Sequence, residues 1–143
     1  MIFTDWVKKN MMESPSILTK EDFEYFDKLV WHDKGKTLNA FMYNPSSVTL
    51  FFDKGFVIFS IRYSDIDYDD DDTICDLICF FKSKKSKFQR EELLDNFWHF
   101  LRINKCTKVN MLTKMNPEFW INNYDFKLKR YEMELKLWEY MMK

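Results

Sequence analysis

The pattern of apolar and polar positions predicts two helices at the start of the chain. Apolar side chains recur at helical spacing from Ile2 to Met12, and Ser14-Pro15-Ser16 interrupts this pattern. Thr19-Lys20-Glu21-Asp22 then has the residue types of a helix start, and Asp33-Lys34-Gly35 has those of a helix end. The apolar stripe of the second helix consists of Phe23, Phe26, Leu29, Val30 and Trp31.

A series of strands is predicted next. Leu38–Tyr43 and Val48–Phe52 are apolar runs of strand length. Asp53-Lys54-Gly55 has the composition of a hairpin turn and leads into Phe56–Tyr63. That segment carries apolar residues on both faces, which is typical of a strand buried on both sides. Ile74–Phe81 is the most apolar of these segments.

The residues that follow predict a strand–helix–strand unit. Ser86-Lys87-Phe88-Gln89 reads as a capping box that opens a helix, and Asn104-Lys105 closes it. Lys108–Thr113 is the next strand. A unit of this length predicts that Ile74–Phe81 and Lys108–Thr113 are neighbouring parallel strands with a right-handed crossover. The buried stripe of the helix consists of Leu93, Leu94, Phe97, Trp98 and Leu101.

The last third of the chain adds a short helix and a long strand. Asn116-Pro117 pairs a capping side chain with proline at the first helical position. Phe126–Leu137 alternates as a strand and precedes an aromatic tail, residues 138–143. We therefore expect one α/β domain with a mixed, twisted sheet of roughly five or six strands and helices on both sides. Within it, residues 1–36 form a helical N-terminal part and residues 37–137 the sheet and site.

Composition supports a single folded domain. The chain has 143 residues, of which 46 % are hydrophobic and 31 % charged. It is therefore long and apolar enough to form a buried core, and disorder is not expected. The formal net charge of −1 gives no overall attraction to nucleic acid, so a nucleic-acid partner is not expected. We find no signal peptide or membrane-spanning run, and we expect no membrane association and a cytoplasmic location.

Cysteines and aspartates offer no clear chemical site. Cys75 and Cys79 are four residues apart in a predicted strand, which places both on one face as buried free thiols. With Cys106 they make an odd set without the spacing of a metal site, so no bound metal is expected. The aspartates between Asp65 and Asp72 are interpreted as a solvated loop, with a divalent-cation loop as the alternative.

One loop carries a family resemblance. The element order across residues 37–137 resembles the GNAT N-acetyltransferases, in which a loop of the form Gln/Arg-x-x-Gly-x-Gly/Ala joins a strand to a long helix. The glycines of that loop let backbone N–H groups approach the pyrophosphate of coenzyme A at the helix N-terminus. Here Lys85-x-x-Phe88-x-Arg90 aligns with the loop. The basic first position is kept and both glycines are replaced.

A second segment also resembles the family. The stretch from Asn116 to Phe126 is similar to the family segment that runs from a cofactor-contacting asparagine to Gly-Phe. Asp125 stands at the glycine position, and Ile121 stands where many members have the tyrosine that protonates the leaving thiolate. Tyr131-Glu132-Met133-Glu134 resembles the closing strand. We therefore assign no catalytic residue.

The resemblance implies a GNAT-like fold with a degenerate acyl-CoA site. Without the glycines, the side chains of Phe88 and Arg90 are expected to occupy the pyrophosphate space, so no bound cofactor is expected; acetyl-CoA is the cofactor if the protein is active. The alternative for the cations is a solvated charge run, because cations at a helix N-terminus oppose its dipole. The candidate cofactor-binding residues are Lys84, Lys85, Ser86, Lys87, Phe88, Arg90 and Asn116.

Three functions remain open at this point. The first is a non-catalytic GNAT-like protein that acts through a protein partner or a second copy, in a phage particle or against a host factor. The resemblance suggests this setting because small degenerate relatives of the family occur among tailed-bacteriophage proteins, including ones tied to virion assembly. The second is an active acetyl-CoA-dependent N-acetyltransferase acting on an amine. The third is binding of nucleic-acid phosphates by the basic loop.

The aromatic tail is the candidate interface. It offers more apolar area than a strand end normally leaves in water, and tryptophan is favoured at binding hot spots. The alternative is that the tail folds back onto the N-terminal helix around Trp6. The candidate interface residues are Trp138, Tyr140 and Met141.

Overall fold

The computed structural model describes residues 1–30, 44–63 and 73–111, with side chains described as far as residue 25 in the first of these ranges. These residues form helices α1 (Asp5–Asn10), α2 (Lys20–Val30) and α3 (Arg90–Ile103), a 3₁₀ turn (Pro15–Ile17), and strands β1 (Val48–Phe52), β2 (Gly55–Tyr63), β3 (Thr73–Lys82) and β4 (Lys108–Met111).

Several predicted segments lie outside the described residues. They are the strand at Leu38–Tyr43, the aspartates Asp65–Asp72, the helix start at Asn116-Pro117, the strand at Phe126–Leu137 and the tail, residues 138–143.

The four strands form one mixed sheet in the order β1-β2-β3-β4. β2 runs antiparallel to both of its neighbours, β1 and β3. β3 and β4 run parallel, with pairs from Ile74 opposite Lys108 to Leu77 opposite Met111. The parallel pairing predicted for the strand–helix–strand unit is confirmed.

A β-bulge interrupts β3 at Ile78. Ile58 pairs with Cys79, whereas the adjacent Phe59 pairs with Leu77, so Ile78 is an extra residue on its strand. The alternation of side chains therefore reverses there. Cys75 packs in the core on one face of the sheet and Cys79 packs against the core on the other. The prediction that these two cysteines share a face is wrong, because the bulge inserts one residue between them.

Aromatic rings join α3 to the sheet. The Phe59 ring of β2 meets Phe97 edge-on at 5.2 Å and Phe100 at 6.0 Å between ring centroids. Such pairs contribute about 1 kcal/mol each beyond the area they bury. α1 adds Val7 to the same core, and none of these four side chains is exposed. The buried members of this core are Val7, Met11, Leu50, Phe52, Val57, Phe59, Cys75, Leu77, Phe88, Leu93, Phe97, Phe100 and Leu101.

The opposite face of the sheet carries a second, smaller core. Phe51, Phe56 and Ile58 point to it, and Leu18 covers them just after the 3₁₀ turn. Phe23 of α2 packs against the same cluster. Helical segments therefore lie on both faces, which agrees with the predicted α/β arrangement. In the part of the chain that the structure describes, no helix has the length and apolar character needed to cross a membrane.

The C-terminus of α3 holds the start of the chain. Asn104 is the C-cap residue, and Lys105 adopts a positive φ of 65°, so the helix ends where the sequence predicted. The Asn104 side chain accepts a hydrogen bond from the Ile2 N–H at 2.6 Å and donates one to the Ile2 carbonyl oxygen at 2.7 Å. These two bonds fix the chain start beside α3.

The β1–β2 turn, Asp53-Lys54-Gly55, depends on a missing side chain. A Cβ atom added at Gly55 would overlap the Phe52 ring and the carbonyl oxygen of Phe81. Lys54 adopts a positive φ of 55°, which is unfavourable for a residue with a Cβ. Gly55 therefore has no room for a side chain, and Lys54 carries a side chain in a conformation that favours glycine.

We expect Gly55→Ala to lower the free energy of unfolding by about 2 kcal/mol, because one partner in the overlap is backbone and cannot rotate away. Lys54→Gly is the matched control and is expected to leave stability unchanged or to raise it by up to about 1 kcal/mol. Urea unfolding of both variants measures this. Equal stability of the Gly55→Ala variant and the unaltered chain would contradict the packing described here.

Candidate functional site

The candidate site is the loop between β3 and α3, residues 83–89. It follows the carboxyl end of β3 and leads into the N-terminus of α3. α3 begins at Arg90 with Gln89 as N-cap, and Gln89 makes no side-chain capping bond. The predicted capping box at Ser86-Lys87-Phe88-Gln89 is therefore wrong. Ser86 Oγ instead accepts a hydrogen bond from the Phe88 N–H at 3.2 Å inside the loop.

Phe88 explains this shift of the helix start. Its side chain is only 7 % exposed and belongs to the core beneath α3. Its ring lies 5.3 Å from that of Trp6 between centroids. Burial of an aromatic ring outweighs the roughly 1 kcal/mol of a helix cap, so the chain turns inward before the helix begins. The ring that was expected to occupy the pyrophosphate space is in the core.

Four successive backbone N–H groups of this loop, Lys85 to Phe88, are already engaged. In a phosphate-binding loop, successive amides point at the ligand. Here four successive amides donate to acceptors of the protein itself, so the loop satisfies its own donors. The four bonds run from Lys85 N–H to Ser83 Oγ (3.1 Å), from Ser86 N–H to the Ser83 carbonyl oxygen (3.1 Å), from Lys87 N–H to Asp53 Oδ2 (2.8 Å) and from Phe88 N–H to Ser86 Oγ (3.2 Å).

The β1–β2 turn lies against the loop and supplies one of these acceptors. The Ser83 N–H donates to the Lys54 carbonyl oxygen at 2.9 Å, and Lys54 Nζ reaches the Lys85 carbonyl oxygen at 3.4 Å. β2 and β3 stay paired up to Gly55 and Lys82, immediately before these contacts. The pairing of β2 with β3 thus places the Asp53 carboxylate next to the loop. A contact between residues 34 positions apart has no local sequence signal.

The predicted cations do come together around the loop. Lys84, Lys85, Lys87 and Arg90 are all exposed, and Ser86 is half-buried between them. Lys87 Nζ also lies over the Phe88 ring, 5.1 Å from its centroid. The first turn of α3 carries two acidic residues, whose negative charges interact favourably with the helix dipole. The nearby cations interact unfavourably with it. The acidic residues are Glu91 and Glu92.

The remaining predicted site residues, Asn116, Trp138, Tyr140 and Met141, lie outside the described residues. The candidate site is therefore built from the loop and the β1–β2 turn.

An ion pair on the sheet was missed by the sequence analysis. Arg62 Nε donates to Asp76 Oδ2 at 2.6 Å, with side chains 47 % and 34 % exposed. Asp76 lies opposite Ser60 on one side and Asn110 on the other, so polar residues cluster two positions before the bulge. The available signal was a charged residue inside the most apolar strand. Because this pair is partly exposed, its contribution to stability is small.

The three thiols have raised pKa values and therefore low reactivity. Burial raises the pKa of Cys75 to about 12 and that of Cys79 to about 11, and it also raises the pKa of Cys106. The nearby Cys106 and Asp76 add to the shift in the pKa of Cys75. A thiol with a raised pKa is a poor nucleophile and metal ligand at neutral pH. Over the described ranges, no cluster of three or more histidine, cysteine or acidic side chains is arranged to hold a metal ion.

Solved structures with the same architecture define the fold. A probable acetyltransferase superposes with a TM-score of 0.59 at 12 % identity, covering 88 % of this chain and 98 % of that one. A putative acetyl transferase from Pyrococcus furiosus gives 0.58 at 10 % identity, covering 87 % and 97 %. An aminoglycoside N-acetyltransferase in complex with CoA gives 0.55 at 15 % identity, covering 89 % and 92 %. The fold is that of the GNAT acetyltransferases.

At such low sequence identities, these superpositions establish the GNAT fold alone. No protein-family model matches the sequence, and no curated protein matches it. The fold predicted from the order of elements is confirmed, while the function has to be argued from the residues of the loop.

The raised thiol pKa values lead to a labelling prediction. At pH 8 a pKa of about 12 leaves on the order of one thiolate in ten thousand at Cys75. We expect iodoacetamide to label Cys75 on the order of a thousandfold more slowly in the folded chain than in guanidinium, and Cys106 to react first. Raising the pH to 9 should accelerate Cys75 about tenfold, since the thiolate fraction grows by that factor.

Peptide mass spectrometry of each cysteine over time measures these rates. The guanidinium-unfolded chain is the control, in which all three thiols should react at similar rates. Folded-state labelling of Cys75 as fast as that of Cys106 would contradict the burial described here.

Proposed function

We propose that this chain is a GNAT-fold protein that transfers no acyl group and acts by binding another protein. The observation that carries the proposal is the set of four loop amides, Lys85 to Phe88, that donate within the protein. A GNAT enzyme uses this loop to hold the pyrophosphate of its acyl-CoA. Here a ligand would have to displace the internal acceptors first.

The energetic cost of that displacement decides against tight binding. Each neutral intramolecular hydrogen bond contributes about 1 kcal/mol, and one to a carboxylate about 2 kcal/mol. Breaking three of the first kind and one of the second costs about 5 kcal/mol, which weakens binding by roughly several thousandfold. The pyrophosphate would regain part of this only after the loop had rebuilt itself around it.

The loop has little freedom to rebuild. Phe88 is anchored in the core against Trp6, and the loop contains no glycine to adopt the conformations that a close phosphate contact needs. The Asp53 carboxylate adds a negative charge where a phosphate would approach Lys87. These features and the isoleucine at position 121, where the resemblance expects the acid tyrosine, support a loss of acyl transfer.

The partner-binding part of the proposal rests on the tail. Trp138, Tyr140 and Met141 are the candidate anchors, because large aromatic side chains dominate protein interfaces. The proposal keeps the bacteriophage setting suggested by the resemblance, in which the chain would act within a virion or on a host factor.

A second candidate is an acetyl-CoA-dependent N-acetyltransferase. It is favoured by the superposition on an aminoglycoside N-acetyltransferase in complex with CoA, and by the exposed cations beside the N-terminus of α3. In that case Lys85 and Arg90 would contact phosphate oxygens by charge-assisted bonds. Acetyl-CoA would then supply the acyl group.

Acetyl-CoA binding separates the two candidates. We expect no saturable heat of binding and no rise in melting temperature, since the four successive amides from Lys85 to Phe88 are occupied. A ligand present at a hundred times its dissociation constant would add about 2.7 kcal/mol of stability, which a melting experiment detects readily. Micromolar binding that Lys85→Ala and Arg90→Ala each weaken would overturn the proposal in favour of the enzyme. Lys8→Ala, on α1, is the matched surface control.

Removal of the tail tests the interface. We expect a chain truncated after residue 137 to lose self-association or partner binding while still unfolding cooperatively as a monomer. Sedimentation and thermal melting of the full and truncated chains measure both properties, and Trp138→Ala repeats the test with one side chain. A lowered melting temperature with an unchanged assembly state would show that the tail serves the fold instead.

A further inference from the structure

The Asp53 carboxylate differs from the other acceptors of the loop amides. It is the only charged acceptor among the four, and its bond to the Lys87 N–H, at 2.8 Å, is the shortest of them. The other three acceptors belong to Ser83 and Ser86, inside the loop. Asp53 reaches the loop from the β1–β2 turn, 34 positions away.

The scaffold holds this carboxylate in place from both sides. The Ser83 N–H bonds the Lys54 carbonyl oxygen at 2.9 Å, and Gly55 continues directly into the β2–β3 pairing opposite Lys82. Close packing of Gly55 against Phe52 and Phe81 prevents the turn from sliding. Asp53 is therefore presented to the loop by rigid elements, and its contact costs little ordering entropy.

The surroundings match those of a bound phosphate oxygen. A negatively charged oxygen accepts from a backbone N–H among exposed cations and just before the N-terminus of a helix. Lys84, Lys85 and Arg90 lie within three residues of Lys87 on either side. In a phosphate-binding loop the same place is taken by the ligand, and here the chain supplies its own carboxylate.

We propose that the Asp53 carboxylate is an autoinhibitory occupant of the Lys87 amide, which keeps the cationic loop from taking up pyrophosphate groups. This inference rests on the proposed function, since it names one contact that prevents phosphate binding. Removing the carboxylate exposes a backbone donor and removes a repelling charge at once. The affinity of the loop for pyrophosphate-containing ligands then rises, and inorganic pyrophosphate and coenzyme A are the probes.

Three variants separate occupancy from overall charge. Asp53→Ala removes both the acceptor oxygen and the charge, whereas Asp53→Asn keeps an oxygen that the Lys87 N–H can still reach. Glu91→Ala removes the same charge from the first turn of α3 and leaves the amide bond intact. All three change the net charge by the same amount, so they differ in whether the Lys87 amide is free.

Calorimetric titration with inorganic pyrophosphate and with coenzyme A at fixed ionic strength measures the effect. We expect Asp53→Ala to bind at least about tenfold more tightly than Glu91→Ala and Asp53→Asn, which should resemble each other. Equal gains in all three variants, or no gain in Asp53→Ala, would overturn the inference. If Asp53→Ala does not fold cooperatively, Asp53→Ser replaces it, since serine suits the first position of the turn and its oxygen is on a shorter side chain.

The outcomes also distinguish this inference from the proposed function. Binding of coenzyme A by the unaltered chain would defeat the proposed function whatever Asp53 does. Failure of both the unaltered chain and Asp53→Ala to bind would leave the proposed function standing and defeat the inference.

Discussion

The packing of Phe59 against Phe97 and Phe100 is the contact on which the arrangement of the site depends. It holds α3 over the face of the sheet, at ring centroid distances of 5.2 and 6.0 Å. Because α3 is held there, the chain after it returns as β4, parallel to β3. The loop between β3 and α3 therefore has both of its ends fixed. Phe88 then extends the same core to Trp6 and sets the course of the loop.

The loop between β3 and α3 contains no glycine, and its backbone N–H groups need hydrogen-bond acceptors. Polar groups left without partners cost about as much as a lost hydrogen bond, so acceptors are drawn from whatever the fold places nearby. Ser83 and Ser86 supply three of them, and Asp53 supplies the fourth across the sheet. The fold is thus that of the GNAT acetyltransferases, and four successive amides of this loop bond within the protein.

The order of elements could be predicted because its signals are periodic and local. β2, β3 and α3 are long enough for their apolar patterns to be unambiguous, and the pairing of β3 with β4 follows from connection length. The bulge at Ile78 could not be predicted, because a strand that is apolar on both faces looks the same after a shift of one residue. The same ambiguity misplaced Cys79.

The errors at the site have a different origin. Ser86 and Gln89 have the spacing of a capping box, and only burial of Phe88 moves the helix start to Arg90. Asp53 was read as a turn residue, which is correct, but its second role depends on how the sheet brings the turn to the loop. The cations were found from sequence because they lie within seven consecutive positions, 84–90. Long-range acceptors leave no such trace.

The most direct test of the account is an NMR titration of the full-length chain with acetyl-CoA, read at the amide signals of Lys85, Ser86, Lys87 and Phe88. If these donors are engaged within the protein, they should be protected from exchange in the free chain, and their chemical shifts should stay unchanged at micromolar ligand. Saturable shifts at these four amides, with loss of the bond between the Lys87 N–H and the Asp53 carboxylate, would contradict it.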